Sequence, residues 1–118
     1  MPRPLAGFPT SWGNKRVTVM RIVGPVLYSV YTAPTTGGQD VAIAPAGGIK
    51  TADFAVGAVS DSGLYRVDVV RLEASTVGGV SVPKSRAVLR WEVISTGSQA
   101  GAIDLSAETV SILIVGSN

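Results

Sequence analysis

Cysteine and histidine are both absent from this chain of 118 residues. Without cysteine there is no disulfide framework and no thiolate nucleophile, and the redox compartment leaves no mark on the sequence. Without either residue, a zinc or other transition-metal site would have to be built from oxygen ligands alone, which such metals rarely accept. Charge is scarce too, at 15% of residues, while 46% are hydrophobic. That balance is at odds with disorder. No apolar run approaches the roughly 20 residues needed to cross a bilayer as a helix. Met1 to Gly13 also lacks the apolar centre of a signal peptide. The expectation is a soluble protein with no targeting address and no membrane partner.

What the chain does have is period-two alternation punctuated by its 14 Gly and 7 Pro. A domain of this length buries roughly two thirds of the surface its unfolded chain would expose, enough to fold without staples. We read residues 1–15 as an extended N-terminal arm and residues 16–118 as a single β-sandwich domain. From Arg16, Val17, Val19, Arg21 and Val23 share one strand face and Thr18, Met20 and Ile22 the other. Further strands are expected over Val26 to Thr32, Val41 to Ala44, around Phe54 to Val59, over Val80 to Val82, and over Ala102 to Leu105. From Arg86 to Ile94, Ala87, Leu89, Trp91 and Val93 point inward while Arg86, Arg90 and Glu92 point outward. The last strand sets Val110, Ile112 and Ile114 on one face and Thr109, Ser111, Leu113 and Val115 on the other, so both of its faces need a cover. Eight or nine short strands without a helical period are the pattern of an antiparallel sandwich or jelly roll.

The longest strand-like run follows Ser60-Asp-Ser-Gly63, a tight turn in which the Asp61 carboxylate is expected to accept nearby amides and Gly63 to supply a free φ. After it, Tyr65, Val67 and Val69 alternate with Arg66 and Asp68. Strict continuation would bury Arg71 and Glu73, at a cost of several kcal/mol unless they pair well. A bulge at Val69-Val70 keeps the charges outside and returns Val70, Leu72 and Ala74 inward. Ala74 to Gly79 reads as loop. The pairs Gly37-Gly38, Gly47-Gly48 and Gly78-Gly79 fall between strand-like runs, where positive φ is wanted. None is followed by the Lys-Ser/Thr of a phosphate loop.

Phe54-x-Val56, Asp61-Ser-Gly-Leu-Tyr-Arg-Val67 and Ile103-Asp-Leu-Ser-Ala-Glu-Thr-Val-Ser-Ile112 together resemble the jelly roll of the complement globular heads and tumour necrosis factors. Similar domains recur in bacteriophage fibres and capsid decorations. The resemblance covers roughly residues 50 to 115 and rests on packing motifs, with Gly63, Tyr65, Leu105, Thr109 and Val110 at the matching positions. It implies a homotrimer with the Tyr side near the core or the threefold axis. Asp61-x-Gly63-x-Tyr65-x-Val67 is also similar to the immunoglobulin tyrosine corner, but 53 residues follow Tyr65, too many for that fold's penultimate strand.

No catalytic residue is assigned. Nearly all of the eight carboxylates fall in turns or at outward strand positions, whereas a glycosidase needs two facing each other about 5 to 10 Å apart. A serine nucleophile would need a lysine base in place of histidine. Asp40 and Asp104 lack the dense alternating carboxylates of a calcium loop. No cofactor, metal or small-molecule substrate is expected. Charge is uneven along the chain: four basic residues and no acid precede Asp40, and six basic and eight acidic residues occupy the remainder. A net charge of +2 argues against a nucleic-acid partner. The basic, proline-rich start carries Arg3, Leu5, Phe8, Trp12, Lys15 and Arg16, which we read as partner contacts: apolar anchors on a stiff segment, steered by positive charge. The resulting expectation is a non-enzymatic virion structural protein of a tailed phage, a capsid decoration (cement) or fibre-type module located on the particle. Its partner would be the major capsid protein or another virion protein. The alternative is a carbohydrate- or receptor-binding head of a phage tail protein, in which an exposed Trp91 would stack on sugar rings.

Overall fold

The computed structural model describes residues 15–44 and 46–117. They form seven antiparallel strands: β1 (Lys15–Val23), β2 (Gln39–Ala42), β3 (Thr51–Val56), β4 (Tyr65–Val77), β5 (Val80–Val93), β6 (Ser98–Gln99) and β7 (Thr109–Ser117), with a single 3-10 turn at Ala46–Gly48. One sheet runs β1-β7-β3, and the other runs β2-β5-β4 with β6 also on β5. This is an all-β sandwich, as the alternation required. Arg3, Leu5, Phe8 and Trp12 lie outside the described residues.

The two sheets close on one apolar core. Ile22 of β1, Ala52 of β3, Val110, Ile112 and Ile114 of β7 meet Val67 of β4 and Ala87, Leu89 and Trp91 of β5. Tyr65 packs edge-on to Trp91, with ring centroids 6.0 Å apart and planes at 72°, a geometry that sets the positive ring edge against a negative face. The inward face foreseen for β5 is buried at Ala87, Leu89 and Trp91; of the two faces of β7 it is the Val110-Ile112-Ile114 one that turns to the core, and on β1 the face that carries Ile22.

The bulge is present where burial of charge demanded it. Val69 pairs with Leu89 and Arg71 with Val88, so Val70 is the extra residue. Leu72 packs on the core as expected, and Arg71 and Glu73 stay outside as an ion pair of 3.1 Å. Ala74, expected inward, is exposed instead. A second register shift falls between Glu73 and Ser75, and the hairpin beyond it is largely exposed. The loop expected over Ala74 to Gly79 is therefore mostly strand, and Gly78 (φ 58) and Gly79 (φ 79) form its two-residue turn, the left-handed pair that suits the twist of a hairpin. The separate strands expected at Val80 to Val82 and Arg86 to Ile94 are one strand, β5.

Two expected strands are absent among the described residues. Val26 to Thr32 alternates like a strand but crosses the end of the sandwich as irregular chain, dropping Tyr28 into the core with no exposure. Its backbone donors go to the 99–103 segment: Tyr28 N–H to the Ile103 carbonyl and Tyr31 N–H to Gln99 Oε1. Residues 102–105, also expected as a strand, form the other half of this pairing as a loop, with Leu105 N–H donating to the Pro25 carbonyl.

Candidate interaction face

The outer faces of the two sheets differ in kind. On the β2-β5-β4 side the outward residues are charged and mutually paired. Glu92 accepts from Arg66 and Arg90, each at 3.0 Å, and Arg86 donates to Asp40 at 2.9 Å. The Arg90 and Arg66 guanidiniums hold the Glu92 carboxyl below the usual carboxylate range, Arg90 contributing most. The charges on this face are neutralised by one another within the sheet.

The β1-β7-β3 side is apolar. Cross-strand register places Val17, Val115 and Phe54 in one row and Val19, Leu113 and Val56 in the next. Val17, Val19, Phe54, Val56 and Leu113 are exposed, from 38% at Leu113 to 61% at Val19. Phe54 reaches this surface because β3 carries an irregularity between Ala52 and Phe54. Asp53 is the additional residue, so Ala52 and Ala55 face the core while Phe54 and Val56 face out. A contiguous apolar patch on the order of a few hundred Å² is the largest that ordinary monomer surfaces tolerate, and such patches mark contact sites.

Two polar bars close the ends of this patch. At one end the Lys15 ammonium spans β7 to reach Asp53 Oδ2 at 2.7 Å, donating to Ser117 Oγ on the way at 3.1 Å. At the other, the Arg21 guanidinium spans β7 to Asp61, donating to Oδ1 at 3.1 Å and to Ser111 Oγ at 2.7 Å. Thr109 donates to Asp61 as well, at 2.7 Å. The Arg21 contact, then that of Thr109, lowers the Asp61 pKa, and the same pairing raises that of Arg21.

The basic clustering seen along the sequence is thus balanced in space at Lys15 and Arg21. Lys15 borders the apolar face, and Arg16, its neighbour on β1, is exposed. The Asp61 carboxylate, expected to accept the amides of its own turn, is engaged by Arg21 and Thr109. The hydroxyls of Ser60 and Ser62 accept the Tyr65 and Leu64 amides instead, each at 3.2 Å. The chain matches no family model, no curated protein and no solved structure.

Trp91 is fully buried, with its indole N–H donated to Gln39 Oε1 at 2.8 Å, so it offers no platform to a sugar ring. Asp40 is engaged by Arg86, and Asp104 accepts the Ser106 amide and hydroxyl at 2.8 and 2.6 Å. Among the described residues no three acidic side chains gather as a metal site would require. Ser81 and Lys84 have the Ser-x-x-Lys spacing, but on β5 rather than on a helix, where that spacing stacks two side chains on one face. A shallow depression of about 260 Å³ lies between Gly63-Leu64-Tyr65 and Val93-Ile94-Ser95; it lacks the converging polar groups of a substrate pocket. β7 with two apolar faces was the sequence signal for the interaction face. The bulge that adds Phe54 and Val56 had none.

Proposed function

We propose that this protein is a non-enzymatic structural module that acts by assembly, docking through the outer face of the β1-β7-β3 sheet. In its specific form, the reading is a virion decoration or fibre-type protein of a tailed phage. The observation that carries it is the contrast between the two outer faces: one a ladder of neutralised charges, the other two apolar rows closed at each end by an ion pair. Burial of such a patch drives association, and the polar bars fix its orientation. The packing-motif resemblance supports the virion setting. The N-terminal arm with Arg3, Leu5, Phe8 and Trp12 would supply a second contact to the coat.

The test is co-sedimentation with coat shells purified without this protein. Wild-type protein pellets with the shells, whereas Val19→Asp, which sets a carboxylate into the apolar row Val19-Leu113-Val56, stays in the supernatant. Equal pelleting of the two would overturn the docking assignment. Removal of residues 1–14 is expected to weaken shell binding further, and unchanged binding would remove the arm from the mechanism.

A further inference from the structure

Strand β1 is an edge of the β1-β7-β3 sheet, and its ladder to β7 runs from Lys15 to Val23 without a break. In an antiparallel pair, facing residues alternate between those that exchange both backbone bonds and those that exchange none. The phase is fixed just past the end of β1, where the Gly24 N–H donates to the Glu108 carbonyl at 2.9 Å. Counting by two along the same register, Ile22, Met20, Thr18 and Arg16 are the residues bonded to β7. Val17, Val19 and Arg21, which alternate with them, therefore aim their N–H and C=O groups away from β7. Two contacts agree with this phase. The Val23 carbonyl, of the same set, accepts from Gln39 Nε2 at 2.8 Å. The Ser117 carbonyl, opposite Lys15, turns to the other side of β7 and accepts the Lys50 N–H at 2.7 Å. Among the described residues nothing bonds the outward backbone groups of Val17, Val19 and Arg21.

Exposed edges are ordinarily guarded by charge, proline or a bulge. β1 has neither proline nor bulge. Its two cations on the outer face, Lys15 and Arg21, are drawn across β7 to Asp53 and Asp61, so their charge lies over the sheet and not along the rim. Arg16 falls on the opposite face of the strand by alternation.

We infer that this edge pairs with the β1 edge of a second copy, antiparallel and centred on Val19. Val19 then faces its own equivalent, Val17 faces the partner's Arg21, and Arg21 faces the partner's Val17. Each of these facing pairs exchanges both backbone bonds, so every outward donor and acceptor from Val17 to Arg21 meets its complement. The Val23 carbonyl, already satisfied by Gln39, marks where the pairing stops. A strand of another protein would have to match this stretch by chance, whereas a second copy matches it by symmetry. Like charges are kept apart as well: Arg16 comes opposite the partner's Ile22, and each Arg21, neutralised by Asp61, opposite a valine. Like charges directly opposite would weaken the pair.

The twofold axis stands perpendicular to the sheet, so two three-stranded sheets become one of six strands with both outer faces on the same side. The apolar face assigned above stays uncovered and doubles in width, with Val17 and Val19 of both copies at its centre. The edge contact is separate from that face and does not depend on it.

The experiment uses the full chain. In sedimentation equilibrium the protein is expected to pass from 12.1 kDa to twice that mass as concentration rises. Amide hydrogen exchange read residue by residue over the same range is expected to slow at Val17, Val19 and Arg21 as the dimer forms. Thr18, Met20 and Ile22, bonded to β7, are expected to be protected throughout. Val19→Pro removes the central outward donor and leaves the β7 ladder its bonds, as an edge strand allows, and should weaken dimerisation by about tenfold or more. Val56→Asp, on β3, should leave dimerisation unchanged.

A chain that stays at one copy at every concentration, or that sediments as three, would overturn the inference. A dimer that survives Val19→Pro would overturn it too, and its loss in Val56→Asp instead would put the contact on the apolar face. Protection of Val17, Val19 and Arg21 at every dilution would show the edge covered from within the chain, a third way for the inference to fail. Should Val19→Pro not fold, as judged by a thermal melt, the exchange pattern of the wild type decides the matter by itself.

Discussion

The hydroxyl of Tyr28 donates to Gln99 Oε1 at 2.7 Å across 71 residues of chain, and the same hydroxyl accepts the backbone N–H of Trp91 at 3.2 Å. Gln99 also accepts the Tyr31 amide and donates to the Tyr31 carbonyl at 3.0 Å. One side chain thus satisfies three polar groups of the irregular segment, the Tyr28 hydroxyl and the Tyr31 amide and carbonyl. Removing the glutamine while leaving its partners buried should cost more than removing the tyrosine hydroxyl. Gln99→Leu is expected to lower unfolding free energy by about 2–3 kcal/mol and Tyr28→Phe by about 1 kcal/mol. Urea titration of both variants checks the order.

Acid stability should depend on Asp61. Its carboxyl, held low first by Arg21 and then by Thr109, gives up its proton more readily in the folded protein than in the unfolded chain. Between the two pKa values the unfolded state binds more protons, so stability rises with pH there. The contribution is complete above the ordinary carboxylate range and is lost as pH falls through the folded-state pKa. Asp61→Asn is expected to flatten the decline in melting temperature below about pH 4. A decline as steep as that of wild type would show that Asp61 is not the titrating group.

Burial raises the Tyr28 pKa above that of a free phenol, so the sign reverses at the alkaline end. The unfolded chain ionises first, and stability falls as pH climbs past about 10. Tyr28→Phe should remove part of that alkaline loss in a melting series from pH 8 to pH 11.

Two glycines with different reasons for being glycine should respond differently to alanine. A Cβ on Gly57 would stand 1.9 Å from the Val67 carbonyl oxygen, where the chain crosses between the sheets. Accommodating it requires backbone movement, and Gly57→Ala is expected to cost about 2–3 kcal/mol. Gly63 sits at φ +76, and a Cβ there would meet nothing within 4 Å, so Gly63→Ala carries only the left-handed penalty of about 1–2 kcal/mol. Denaturant midpoints of the two variants should fall in that order.

Much of this architecture was legible because burial of charge is expensive. Arg71 and Glu73 could not go inside, which required a bulge at Val69-Val70, and the ladder carries it there. Trp91 and its alternating neighbours were readable for the same reason. The 26–32 segment misled because Val26, Tyr28 and Val30 alternate as a strand does. Some of the groups that satisfy its backbone lie nearby on Thr36 and Gly38, but those that hold Tyr28 and Tyr31 sit on Gln99 and Ile103, far along the sequence and without local signature. The candidate face was half legible: β7 needed cover on both sides, but its neighbours' contribution hinged on an irregularity in β3 that no residue type announces.

That irregularity at Asp53 has an evolutionary consequence. Strict alternation would send Phe54 and Val56 inward with Ala52, and the extra backbone residue reverses their parity without altering any apolar side chain. The same string of residues can therefore serve as interior or as adhesive, according to whether an odd or even number of positions precedes it along the ladder. Deletion of the single codon for Asp53 is therefore expected to turn Phe54 and Val56 toward the core and to remove half of the exposed apolar face in one step.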